Sequence, residues 1–85
     1  MTTIEFDVLD ELYFIQSYEY LLRTLKLNDN TLKDVLYELL KKNWLKCYSS
    51  PTEELNFETS DFERDYWNYH YLATKAGLLA HNSNY

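Results

Sequence analysis

The sequence predicts a single, mainly α-helical domain with a small β-hairpin, an α+β fold in the order helix-helix-helix-strand-loop-strand-short helix. Three observations predict it. Leu32, Val35, Leu36, Leu39 and Leu40 fall at i, i+3, i+4, i+7 and i+8, one apolar stripe of a 3.6-residue period. Trp67, Tyr69, Tyr71 and Ala73 alternate with Asn68, His70 and Leu72, the period-2 pattern of a strand. At Thr74 that alternation stops. Thr is a good helix N-cap, so "TKAGLLAH" reads as a turn into a final short helix over residues 75–81.

The remaining elements follow from local signals. Residues 4–15 read as a first helix with Phe6, Leu9, Leu12, Tyr13 and Ile15 inward. Ser17 caps a second, residues 18–26, with Leu21, Leu22 and Leu25 inward. Asn28 caps the third, residues 29–42. Asp29 suits the positive end of its dipole, and Lys41 and Lys42 suit the negative end. Asn43 is a residue type that tolerates a left-handed C-terminal cap, so the helix stops there and residues 44–49 run out as a strand. Residues 50–65 form an acidic loop, with two capping-box patterns beginning at Ser50 and Ser60 and with Leu55, Phe57 and Phe62 to pin it down. The second strand covers residues 66–73. In the last helix Leu78 and Leu79 are expected inward.

Composition bounds the function classes. An apolar content of 46% with 18% aromatics supplies a core and argues against a disordered chain. Nine tyrosines are unusual in 85 residues, and tyrosine suits partly buried faces and contact surfaces. Cys47 is the single cysteine, which gives no disulfide framework and no thiolate metal cluster; a buried, inert thiol in a reducing cytoplasm is expected. No apolar run approaches a membrane span, and the acidic N-terminal stretch is unlike a signal peptide. The net charge is −6, and only residues 28–46 are slightly basic, with four lysines against three acids. That balance disfavours a polyanion as partner.

The phrase "LNDNTLKDVLYELLKKNWLKCY" resembles the second half of the helix-turn-helix in bacterial repressors of the MarR and PadR kinds. "YLATKAG" is similar to the Tyr-x-Leu-Thr-x-x-Gly phrase that closes the wing there, with Tyr71, Thr74 and Gly77 in matching places and Ala73 where Leu is usual. The resemblance implies one winged helix-turn-helix domain over residues 1–85, with residues 29–42 as recognition helix and residues 50–65 as wing. It implies regulation of transcription. It would also bring Asn30, Thr31, Lys33, Tyr37, Lys41 and Lys42 to DNA, along with the acids Asp34 and Glu38.

The charges weigh against that interface. The recognition helix lacks arginine, the residue that most often reads bases, and residues 49–66 carry six acids against Arg64 alone. A second candidate surface is the aromatic run Tyr66, Trp67, Tyr69, His70 and Tyr71. Both faces of a strand there carry rings, and only one can line a small core. Stacking on single-stranded bases would need a basic groove beside the rings. His70 and His81 lack metal-pair spacing, and His81 reads as a cation near a helix end. The acidic loop holds no calcium-loop pattern and reads as solvated charge. The expectation is therefore a non-catalytic, cofactor-free module that acts through a protein partner or self-association. Sequence-specific DNA binding is the alternative.

Overall fold

The computed structural model describes residues 1–83. Helix α1, Thr3–Glu11, starts at a reciprocal capping box. The Thr2 hydroxyl accepts the Glu5 N–H at 3.1 Å, and a Glu5 carboxylate oxygen accepts the Thr2 N–H at 3.0 Å. The helix ends three to four residues earlier than the apolar pattern suggests, because a neighbouring strand takes over the backbone. The Leu12 carbonyl accepts the Ala73 N–H at 2.9 Å, and Gln16–Ser17 pairs as strand β1. Tyr13 is consequently exposed, not inward, and Phe14 is 76% exposed.

Helix α2, Tyr18–Leu25, is capped by the Ser17 hydroxyl, which accepts the Tyr20 N–H at 3.1 Å; Lys26 closes it at φ 54°. Helix α3, Asp29–Lys41, is capped by Asn28 at 2.8 Å. Asn43 adopts φ 61°, its N–H reaches the Leu40 carbonyl, and the Trp44 N–H reaches the Leu39 carbonyl. Those two bonds satisfy the last helical carbonyls in the Schellman manner and turn the chain directly into strand β2, Leu45–Ser50.

The stretch after β2 is more ordered than a loop. Ser50 does not cap a helix; it lies at the turn of a hairpin, β2 to β3 (Glu53–Leu55), with a register irregularity between Tyr48 and Ser50. A 3-10 turn at Phe57–Thr59 follows, then the four-residue helix α4, Phe62–Asp65, and a second 3-10 turn at Tyr66–Asn68. Asp61, not Ser60, precedes α4, and it makes no side-chain cap bond. Strand β4 is His70–Ala73, so the expected strand over residues 66–73 is half as long. Its first three residues wind up, with the Tyr69 N–H on the Tyr66 carbonyl, because Tyr66 is drawn towards α2 and α3.

The strands form one antiparallel sheet in the order β1-β4-β2-β3. Cys47 and Tyr71 face each other across β2 and β4, and both are wholly buried. The helices cover that face, with Val8, Leu9, Leu21, Leu32 and Leu36 completely enclosed.

Helix α5, Lys75–Asn82, closes the fold, and Thr74 serves it twice. Its hydroxyl donates to the Asn43 carbonyl at 2.7 Å and accepts the Gly77 N–H at 3.1 Å, while its own N–H reaches the Trp44 carbonyl at 2.9 Å. The α3–β2 corner thus seats the first turn of α5. Gly77 is required because a Cβ there would lie 2.1 Å from the Trp44 carbonyl oxygen. Leu78 packs on the core, whereas Leu79 is 59% exposed, contrary to its expected burial. The helix's other buried residue is His81. It lies in the last turn as expected, but buried: its ring stacks on Phe6 at 4.2 Å, its Nδ1 lies 2.9 Å from the Tyr13 hydroxyl, and its Nε2 lies 3.3 Å from Asp10. No helix among the described residues is long and apolar enough to cross a membrane.

Candidate interaction surface

The outward side of α3 is where the resemblance places DNA, and the structure shows how each of its residues is engaged. Positions 29, 33 and 37 form one flank, four residues apart. Residues 57–66 lie against it. Tyr37 meets Phe57 and Phe62 at ring-centre distances of 5.8 and 5.9 Å. Lys33 places its ammonium 2.8 Å from Glu63 and 5.1 Å from the centre of the Tyr66 ring. Asp29 accepts the Tyr66 hydroxyl at 2.7 Å and the Tyr18 hydroxyl at 2.5 Å.

Asp29 therefore has a second task beyond the helix dipole: it ties α2 and the turn after α4 to the start of α3. Its carboxyl is held below the usual range, first by the Tyr18 hydroxyl and then by the Tyr66 hydroxyl; burial opposes them, and the Lys33 charge adds a smaller effect in their direction. Burial, followed by the bond to Asp29, pushes the Tyr18 phenol far upward, so it remains a donor throughout the physiological range.

The lysines at the end of α3 and the start of β2 are also engaged. Lys41 lies 3.3 Å from Glu38 and over the Tyr37 ring at 5.0 Å. Lys42 binds Glu5 at 2.7 Å and covers the Trp44 ring at 4.7 Å. Lys46, at the start of β2, faces Glu54 at 3.6 Å. Between the two flanks of α3, the exposed strip is Asn30, Asp34, Glu38 and Lys41, which carries two acids and one base. Thr31 is half-buried, and its N–H is the one Asn28 caps.

The aromatic run is divided between core and surface. Tyr69 and Tyr71 are buried, and the Tyr71 hydroxyl donates to the Tyr66 carbonyl at 2.6 Å. Tyr66 is half-buried between Tyr18 and Phe62. His70 is half-buried in β4, with its Nδ1 enclosed and without a hydrogen-bond partner among the described residues. Trp67 alone of the five stands out to solvent, at 60% exposure. The structure thus anchors three of the five candidate contact rings in the domain itself. Period-2 spacing could not show this, since Tyr66 and Trp67 are not in the strand.

Two grooves flank α3. One, of about 340 Å³, lies between α3 and the start of α1, with Val35 at its floor and Glu5, Asp34, Glu38 and Lys42 around it. The other, of about 530 Å³, opens between the end of α3 and the β2–β3 hairpin, over Leu40, Leu45, Leu55 and Phe57. Nothing in the sequence pointed to the larger groove, because β3 was not legible as a strand. No group of three or more His, Cys, Asp or Glu residues among those described is arranged to hold a metal ion. No family model, no curated protein and no solved structure matches the chain.

Proposed function

We propose that the chain is a non-catalytic regulatory module of winged-helix type that works through contacts with a protein. One observation carries the reading: every lysine of α3 is engaged by a carboxylate, Lys33 by Glu63, Lys41 by Glu38, with Lys42 just beyond it on Glu5. A helix that binds DNA needs cations free to replace counterions at phosphates. Here the cations are neutralised, one flank is covered by residues 57–66, and the exposed strip is acidic on balance. Support for the winged-helix part comes from the order of three helices before the β2 and β4 pair, and from β1 lying beside β4. A cytoplasmic setting belongs to the same reading, since Cys47 is a free, buried thiol.

The test is a salt series of binding to random and genomic DNA fragments, with mass by light scattering in parallel. The reading expects no binding at about 50 mM salt or above. Micromolar binding that weakens steeply with salt would overturn it. In that event Lys33→Glu together with Lys41→Glu would abolish the binding.

A further inference from the structure

The larger groove lies beside an unfinished sheet. Strand β3 ends the order β1-β4-β2-β3, so one side of its backbone has no strand to pair with among the described residues. Leu55 pairs with the buried Cys47 and shares its inner face; Glu54 pairs with Tyr48 and lies on the outer face, near Lys46. The floor of the groove, Leu40, Leu45, Leu55 and Phe57, is the inner face continued to the open edge. We propose that the edge of β3 is a docking site for an extended segment of a partner protein in which apolar and basic side chains alternate.

The alternation follows from strand geometry. A strand added to β3 points successive side chains to opposite faces. Those on the inner face enter a space of about 530 Å³ floored by leucines and Phe57, and those on the outer face pass Glu54. Glu53, Glu54 and Glu58 are exposed around the edge; the two bases that line the groove, Lys41 and Lys46, are engaged by Glu38 and Glu54, so the rim is acidic on balance through Glu53 and Glu58. Charge complementarity therefore selects Lys or Arg for the outer positions. It also disfavours a second copy of this chain, whose own β3 would set glutamates against glutamates.

This assignment rests on the protein-contact reading above, and the experiment separates the two. The 15N-labelled protein is titrated with three seven-residue peptides: alternating Leu and Lys, the same composition in two blocks, and alternating Leu and Glu. The alternating Leu/Lys peptide is expected to bind at least about tenfold tighter than either other, with amide shifts gathered at residues 40–46 and 53–58. Replacing two of the three exposed glutamates, Glu53→Lys with Glu54→Lys, is expected to reverse the preference between the Lys and Glu peptides while leaving the circular dichroism spectrum unchanged. Equal binding of alternating and block peptides, shifts centred elsewhere, or no binding at millimolar peptide would each overturn the edge assignment. If DNA remains unbound in the salt series, only the edge is lost; salt-sensitive DNA binding would remove the reading beneath it.

Discussion

Replacing Gly77 by alanine tests the contact that seats the last helix. The added Cβ would stand 2.1 Å from the Trp44 carbonyl oxygen, where ordinary contact begins at 3.4 Å, so α5 or the Trp44 peptide must retreat by more than about 1 Å. The obstacle is backbone, held from the other side by the Leu39–Trp44 and Thr74–Trp44 hydrogen bonds. Overpacking of this kind costs about 1–3 kcal/mol. Stretching the Thr74 bonds adds about 1 kcal/mol, and the better helix propensity of alanine returns about 1 kcal/mol. The expected net loss is about 1–3 kcal/mol, a fall in Tm of roughly 5–25 °C for a domain of this size. Urea unfolding followed by circular dichroism at 222 nm, with unchanged m-value, measures it. A variant as stable as the parent, or more stable, would show that helix propensity decides the site and that the Trp44 contact is soft.

Three further outcomes follow from particular side chains. Burial raises the Glu5 carboxyl, but the Lys42 ammonium and the Thr2 N–H and hydroxyl together outweigh it and hold the group below its ordinary value of 4.5. The stability this gives is therefore full above about pH 4.5 and is lost as pH falls through the lower folded value. Glu5→Gln should flatten the acid limb of the stability curve by up to about 1 kcal/mol, since Lys42 is half-exposed and solvent screens the pair; an unchanged limb refutes it. Trp67→Ala should change stability by no more than about 0.5 kcal/mol. It should also shift the fluorescence to the blue, leaving Trp44 packed under Lys42, and a loss beyond 1.5 kcal/mol would place Trp67 in the core after all. Burial pushes the Cys47 thiol up, so a disulfide reagent at pH 8 should modify it about 100-fold more slowly in the native protein than in guanidinium. Comparable rates would contradict its enclosure.

Elements with local causes were legible in the sequence, and elements with distant causes were not. Helix α3 carries its own cap, stripe and left-handed Asn43, so its limits follow from its own residues. Thr74 likewise announces α5. Strand β1 is two residues whose extended state is set by Tyr71 and His70, more than fifty positions away, and nothing near Gln16 encodes it. The rings from Tyr66 to Tyr71 alternate as a strand does, yet Tyr66 bonds to Asp29 and its turn winds up, because a hydrogen bond across the domain outweighs a weak local preference. The burial of His81 was not legible, because only the fold brings Phe6 and Tyr13 over it.

The same distinction governs the reading of the site. In sequence, Lys33, Tyr37 and Lys41 are three outward residues on a helix of the kind that enters a major groove. In space they belong to a surface shared with residues twenty to thirty positions further on. Tyr37 contributes a ring to the packing of Phe57 and Phe62, and Lys33 divides its charge between Glu63 and the face of Tyr66. Exposing this flank to DNA would require residues 57–66 to leave, breaking the Tyr66–Asp29 bond and opening the ring cluster, and the acids released would still lie beside the phosphates. The open edge of β3 requires no such rearrangement: among the described residues its backbone has no strand on one side, its groove is already formed, and its glutamates are exposed. Of the two surfaces, the one that can accept a partner without first unmaking part of the domain is the better place for binding to begin.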